Sequence, residues 1–306
     1  MTLTELRYLV AVARELHFGR AAEACHVSQP TLSVAIKKLE EELDVKIFER
    51  GGNEVSVTPL GQELVRQAQV VIEQANAIKE IAKRGRDPLA GPLRLGVIYT
   101  IGPYLLPQLV RQVIERTPQM PLLLQENFTV KVLEMLRTGE LDCAILAEPF
   151  PDAGLAIAPL YDEPFRVAVP TQHPLQGPIS AEALKQETML LLGNGHCFRD
   201  HVLEVCPEFA RFASGAEGIQ KSFEGSSLET IKHMVASGMG ITVLPQLSVP
   251  RDPQPHLRFL DFADTPPPSR RVVLAWRRSF TRYEAIAALR NAVMACELPG
   301  VQRIHA

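Results

Sequence analysis

The chain has 306 residues, 46% hydrophobic and 22% charged, with a formal net charge of −3. That length suits two or three domains with substantial cores, the composition is that of a soluble globular protein, and no apolar run approaches the ~18 residues of a membrane span. Met1-Thr2-Leu3-Thr4-Glu5 has neither the basic nor the apolar region of a secretory signal. The five scattered cysteines do not form an extracellular disulfide framework. The expected compartment is therefore the cytoplasm, where a disulfide is a transient signal.

Within residues 1–60, seven Lys/Arg stand against nine Asp/Glu, so any DNA binding here depends on local positive charge. Leu3, Leu6, Leu9, Val10 and Ala13 recur at helical spacing over residues 3–15. Phe18 to Cys25 reads as a short Ala-rich helix, and His26-Val27 as a turn. Ser28 can cap a third helix with Pro30 near its start. Leu32, Ile36, Leu39 and Leu43 line one face of that helix, leaving Gln29, Thr31, Ser33, Lys37 and Lys38 on the other. This is a helix-turn-helix pattern: polar side chains at the start of the second helix reach base edges, and Lys or Arg reach phosphates. Val45 to Arg50, Gly51-Gly52-Asn53 and Glu54 to Thr58 predict a hairpin wing, with Arg50 placed to touch the DNA backbone.

From Pro59 to Arg84 a long helix is expected. Leu60, Leu64, Ala68, Val71, Ala75, Ile78 and Ala82 form a narrow seam of the coiled-coil kind. The seam predicts a dimer interface, with packing on its own chain as the alternative. Arg86-Asp87-Pro88 and Gly91-Pro92 mark a linker.

Strands at Leu93–Ile98, Leu122–Glu126 and Leu141–Leu146 alternate with helices at Leu105–Arg116 and Val130–Thr138, which predicts a parallel α/β sheet. Phe165–Val169 and Met189–Leu192 open a second such unit. Ser226-Ser227-Leu228-Glu229 reads as a capping box. Residues 237–240 turn into a strand ending at Pro245, Val272–Trp276 is a late strand, and Tyr283–Ala295 is a final helix. Ligands in such folds sit at the carboxyl ends of strands. Thr100, Thr129 and the loop from Gly195 to Asp200 are placed to converge there.

Gly195-His196-Cys197-Phe198-Arg199-Asp200 sets a thiol beside an imidazole and a guanidinium, both of which stabilise a thiolate. Cys206 lies nine residues on. On spacing alone, two unrelated buried cysteines remain the plainer reading. A disulfide needs Cα atoms within ~7 Å, whereas nine residues of helix span ~13.5 Å and a strand spans more. A Cys197–Cys206 bond therefore cannot coexist with a regular element, and its formation would remodel the backbone, as a switch requires. Phe198 is expected to enter or leave a core in that change.

Phe18-x-x-Ala21-Ala22, Ser28-Gln29-Pro30-Thr31-Leu32-Ser33, Ile36-x-x-Leu39-Glu40-x-x-Leu43, Phe48-x-Arg50 and Thr58-x-x-Gly61 together resemble the LysR-type transcriptional regulators. The Gly195–Asp200 motif with Cys206, Thr100-x-Gly102-Pro103-Tyr104-Leu105 and Ser227-Leu228-Glu229-Thr230 resemble the hydrogen-peroxide-sensing branch of that family, over nearly the whole chain. The resemblance implies an α-helical winged helix-turn-helix domain over residues 1–58 and a linker and dimerisation helix with hinge over 59–91. It implies a two-lobed α/β periplasmic-binding-protein-like regulatory domain over 92–306, with lobe I formed by 92–164 and 268–306 and lobe II by 165–267.

The same resemblance implies that Gln29, Pro30, Thr31, Ser33, Lys37 and Arg50 meet DNA. Cys197 would be the peroxidatic cysteine and Cys206 the resolving one. Thr100, Thr129 and His196 would hold peroxide, Asp200 would assist proton movement, and Arg270 would support the thiolate, with Arg271 as its adjacent alternative. The implied partners are double-stranded DNA, hydrogen peroxide, further copies of the chain as homodimer and homotetramer, RNA polymerase, and a thiol reductant such as glutaredoxin or thioredoxin. No cofactor, metal, membrane or enzymatic turnover is implied. Three alternatives compete: a LysR-type regulator holding a metabolite in the cleft, a thiol peroxidase, and a zinc sensor using His196, Cys197 and Cys206, which lacks a fourth ligand. Cys25 and Cys143 read as core residues, and Cys296 has no assigned role.

Overall fold

The computed structural model describes residues 1–51, 54–83, 89–207, 224–225 and 227–304. The expected turn at Gly52-Asn53, the expected helix end at Arg84 and linker at Arg86-Asp87-Pro88, Ser226, and the side chains of Arg50 and Ala82 lie outside the described residues.

Three helices form the N-terminal head: α1 (Leu3–Glu15), α2 (Phe18–Ala24) and α3 (Gln29–Leu43). Each starts where a side chain satisfies free N–H groups, which a helix leaves unpaired at its first turn. Thr2 and Glu5 form a reciprocal capping box on α1, the His17 imidazole accepts from the N–H groups of Gly19 and Arg20, and Ser28 Oγ accepts from Thr31 N–H. Leu9, Phe18, Ala21, Leu32, Ile36 and Leu39 bury the shared face. The wing pairs β1 (Phe48–Gly51) with β2 (Glu54–Val57), antiparallel. It is tied to α3 by the buried Glu40 carboxylate, which accepts from the N–H groups of Ile47 (2.8 Å) and Phe48 (3.1 Å).

The long helix is α4 (Pro59–Lys83), and its apolar seam divides. Ala68 is buried in the head core, with Leu64, Val65 and Ile72 packed against it. Leu60, Val71 and Ile78 stay exposed, Ile78 by 70%. Steps of eleven and seven residues at 3.6 per turn keep those three on one face. Own-chain packing and an open apolar face thus coexist on one helix.

The rest of the chain is built on one eight-stranded sheet among the described residues. β3 (Leu93–Ile98) pairs in parallel with β4 (Leu122–Asn127) and β5 (Cys143–Ala147), with α5 (Gly102–Arg116) and α6 (Thr129–Arg137) as crossovers. The sheet is mixed, not parallel throughout as expected, because β11 (Ser269–Arg277) runs antiparallel to both β5 and the long strand β6 (Leu155–Pro170). The expected strand from Phe165 is only the second half of β6, a single sixteen-residue strand. Pro159 and Pro164 read as breaks in the sequence. In the structure Pro159 sits at a register shift opposite Val273 and Pro164 opposite the strand end at Ser269, positions that tolerate a missing N–H.

β6 carries two separate cores. One, containing Leu95, Leu109, Leu133, Ile145, Val273 and Leu289, lies under α5, α6 and α10 (Tyr283–Ala295). The other packs Phe165, Val167, Phe198, Val202, Ile231 and Val243, beneath α8 (Cys197–Val205), α9 (Leu228–Ala236) and β9 (Thr242–Pro245). The remaining short elements are α7 (Ala181–Leu184), β7 (Leu191–Leu192), β8 (Glu224–Gly225), β10 (Leu257–Asp261) and β12 (Gln302–Arg303). The cap of α9 is Ser227, whose Oγ accepts from Thr230 N–H, not Ser226 paired with Glu229. The Glu229 carboxylate instead accepts from Tyr104 Oη (2.7 Å) and pairs with Lys232 (2.7 Å). No helix among the described residues is long and apolar enough to cross a membrane.

Candidate functional site

Three element ends converge beside Cys197. Thr100 follows β3, Thr129 opens α6, and His196 precedes α8, whose first residue is Cys197. With Ile98, Tyr99, Asn127, Phe128 and Gly195 they line a small, partly open pocket of about 10 Å³. Organic ligands typically occupy pockets of roughly 300–1,000 Å³, far larger than the space beside this thiol. A cavity of about 590 Å³ does exist between α1, α4 and the end of β11, lined by Arg7, Glu73, Asp142 and Arg277 among others, but not by Cys197 or Cys206.

Arg270 forms the back of the site. Its Nη1 donates to Thr100 Oγ1 (2.8 Å), its Nη2 to the Thr100 carbonyl (2.9 Å), and its Nε to Glu163 Oε2 (2.9 Å). Both ions of the Arg270–Glu163 pair are almost wholly buried, and Glu163 Oε1 accepts from Leu247 N–H (2.8 Å). A buried charge needs such a complete set of partners. Strand alternation decides between the two candidate arginines: Arg271 points outward to Asp162. Glu163 was not legible in the sequence, since only the pairing of β6 with β11 brings it to Arg270.

Burial pushes the Cys197 thiol up, while the Thr129 hydroxyl, the Arg270 guanidinium and a backbone N–H pull it down and Asp200 adds to the rise. The buried Thr129 Oγ1 is close enough to act on the thiol yet makes no well-formed hydrogen bond to any group. It is a donor held ready for an incoming acceptor. Cys197 also stands at a helix N-terminus, which favours a thiolate. Burial raises Cys25 and Cys143, and raises Cys296 to about 11. Asp200, in the first turn of α8, is exposed and is not among the residues lining the pocket.

All five cysteines are free thiols. Cys206 caps the far end of α8 and is buried in the second core. The intervening residues are a regular helix in this thiol form, so the two cysteines stand nine residues, ~13.5 Å of helix, apart. Phe198 is 1% exposed, edge-on to Phe165 at 5.2 Å, with the Arg270 guanidinium 5.2 Å from its ring centre. His201, which the sequence reading passed over, is also buried on α8. Its Nε2 lies 2.7 Å from the Glu148 carbonyl and therefore carries the proton, leaving Nδ1 without a partner.

On the head, Gln29, Pro30, Thr31 and Lys37 are exposed along α3 and Ser33 is half-buried. Val34, beside them on the same face, is 67% exposed. The sequence signal for that exposure was a valine falling off the Leu32-Ile36-Leu39 stripe. The strand that begins near Arg270 also reaches the head's connecting helix, because Arg277 of β11 and Ser279 both hydrogen-bond the Glu73 carboxylate of α4.

Residues 3–62 match the bacterial regulatory helix-turn-helix protein family of the lysR type, and residues 86–295 match the LysR substrate binding domain. A hydrogen peroxide-inducible genes activator of Pectobacterium carotovorum subsp. carotovorum is 40% identical over 292 residues, covering 94% of this chain and 95% of the relative. The solved structure of a full-length cysteine variant of OxyR from Pseudomonas aeruginosa is 51% identical and superposes with a TM-score of 0.79, covering 97% of this chain and 99% of that one. A hydrogen-peroxide-bound cysteine-to-serine variant of OxyR from Corynebacterium glutamicum is 33% identical, with a TM-score of 0.63 and coverage of 95% and 91%. A head that presents a polar helix face, joined to a sheet that closes a small pocket over a thiol, is thus found where both family signatures match, and the chain belongs to the LysR family of DNA-binding transcription regulators.

Proposed function

We propose that this chain is a transcription regulator activated by hydrogen peroxide, with Cys197 as peroxidatic and Cys206 as resolving cysteine. The observation that carries the reading is the Cys197 pocket, far smaller than those organic ligands typically occupy and lined by hydroxyl and imidazole groups. The Cys197 thiolate attacks one peroxide oxygen and the O–O bond breaks. Sulfur loses two electrons and becomes sulfenic acid, and the departing hydroxide takes a proton and leaves as water. Thr100, Thr129 and His196 hold the peroxide, Arg270 steadies the thiolate, and Asp200, one turn along α8, assists the proton movement. Cys206 then attacks the sulfenic sulfur, releasing a second water and closing the disulfide, which α8 cannot accommodate as a helix.

The two cores on β6 are read as the two lobes of a periplasmic-binding-protein-like regulatory domain, with the boundaries given above. Arg277 and Glu73 are the contact by which a shift of β11 reaches the head. Gln29, Pro30, Thr31, Ser33, Lys37 and Arg50 meet double-stranded DNA. The exposed α4 face, together with Leu123 and Leu124 on the edge strand β4, supports a homodimer and, through two such faces, a homotetramer. Contact with RNA polymerase, reduction by a glutaredoxin- or thioredoxin-type partner and a cytoplasmic location complete the reading by family membership.

The test treats fully reduced protein with one equivalent of hydrogen peroxide and maps every thiol by differential alkylation and mass spectrometry. A Cys197–Cys206 crosslink with Cys25, Cys143 and Cys296 still free is expected. Oxidation of other thiols while Cys197 stays reduced would overturn the reading.

A further inference from the structure

We infer that Tyr99, Phe128 and His196 form an aromatic collar that sets the substrate size of the Cys197 pocket, admitting hydrogen peroxide and rejecting hydroperoxides that carry an organic group. The inference rests on the peroxide reading of that pocket and names what the pocket selects.

The three rings lie together. Tyr99 and Phe128 meet edge-on at 5.3 Å and Phe128 and His196 edge-on at 4.8 Å, while Tyr99 and His196 are tilted to each other at 6.1 Å. Such edge-to-face contacts brace each ring against its neighbours. All three line the pocket, and Tyr99 and Phe128 are each 39% exposed, so they form its wall on the solvent side. Each ring belongs to the residue immediately before a pocket group: Tyr99 before Thr100, Phe128 before Thr129, His196 before Cys197. The backbone that places the reacting groups therefore also fixes the collar. Gly195 adds to the fit. It has φ +94°, and a side chain there would start 3.3 Å from the Phe128 ring, so only glycine leaves the ring in place.

The chemistry makes this wall decisive. In an organic hydroperoxide the thiolate takes the terminal oxygen, and the oxygen bearing the organic group leaves as an alkoxide that must gain a proton. The substituent then has to lie beside the leaving oxygen, inside the collar. A tert-butyl group would add four carbon atoms against the Tyr99 and Phe128 rings, and rings packed this closely have to move to make room for it.

The experiment measures Cys197 oxidation rates for the full-length chain with hydrogen peroxide and with tert-butyl hydroperoxide, in the parent, Phe128→Ala, Phe128→Leu and Tyr99→Leu. The ratio of the two rate constants is expected to fall at least about tenfold in Phe128→Ala, with the two leucine variants in between. Thermal unfolding identifies any variant that has lost its fold, and the leucine variants, which keep an apolar side chain of similar bulk, then carry the comparison. If the parent reacts rapidly with hydrogen peroxide and the ratio is the same in all folded variants, the collar is overturned while the peroxide reading stands. If the parent Cys197 does not react with hydrogen peroxide at all, both fall.

Discussion

In the proposed reading helices α3 and α8 both present their first turn to an outside partner, but they are held in opposite ways. α3 has fifteen residues, a side-chain cap from Ser28, a left-handed C-cap at Asp44 and three core residues at 0% exposure. α8 has nine residues, no side-chain cap at His196, and a non-helical end at Cys206. Helices this short do not persist on propensity alone and depend on tertiary packing. For α8 that packing is Phe198 and Val202 against the second core, and the same face buries His201 with an unpaired ring nitrogen. α3, the element proposed to read DNA, is built to stay formed. The element that carries the thiols leans on its packing against the second core, with no side-chain cap at its start and an unpaired buried ring nitrogen working against it.

The comparison breaks most sharply at Phe198. Removing a buried Phe side chain costs roughly 3–5 kcal/mol, and here the loss falls on the helical thiol form. If disulfide formation expels Phe198 from the core, the oxidised form loses little. Phe198→Ala should then make the Cys197–Cys206 reduction potential more negative by about 60–110 mV, at ~30 mV per 1.4 kcal/mol, with DNA binding retained. Equilibration against a glutathione buffer measures this. An unchanged potential would mean that Phe198 keeps its place in both forms.

This division was partly legible in the sequence. The α3 cap, its buried stripe and its exposed Gln29, Thr31 and Lys37 follow from local spacing, because capping and amphipathicity are local rules. The impossibility of a regular 197–206 segment in the disulfide form likewise needed only helix rise and bond length. What was not legible depends on long-range pairing. The Arg270–Glu163 pair joins residues 107 positions apart, and the prolines of β6 hid a strand that only a register shift in its partner makes possible. His17 as a cap was missed because imidazole is an uncommon choice for that role. The aromatic ring before each pocket residue was visible in the letters but had no meaning until the three turns met.

A smaller effect comes from His201. Burial lowers its pKa, opposed by its bond to the Glu148 carbonyl and by the charges of Glu204 and Asp200, with Arg270 acting in the same direction as burial. In a remodelled α8 it returns toward the ordinary value of ~6.5. The sign follows: above pH ~6.5 the ring is neutral in both forms and contributes nothing. As pH falls below ~6.5 only the remodelled form takes up the proton, so the thiol form loses relative stability. Against His201→Gln, which keeps an N–H donor but does not titrate, the parent potential should fall as pH drops below ~6.5, by at most about 30 mV per pH unit and only until the lowered pKa of the thiol form is reached. Potentials of both proteins from pH 5 to 8 cancel the protons of the thiols themselves. Parallel curves would show that His201 does not change environment on oxidation.

The smallest effect tests the stable side of the comparison. Ser28→Ala removes the Oγ that accepts from Thr31 N–H and contacts the Thr31 hydroxyl at 2.8 Å, a loss of about 1 kcal/mol. The first turn of α3 carries Gln29, Pro30 and Thr31, so fraying there must be reversed each time the helix docks on DNA. Affinity should weaken by about fivefold, measured by titrating DNA with the thiol and disulfide forms separately. Because the cap lies in the head and none of its contacts reaches α8, both forms should weaken by the same factor. If instead one redox form loses much more than the other, the first turn of α3 is already different in the two states, and the switch extends into the reading helix itself.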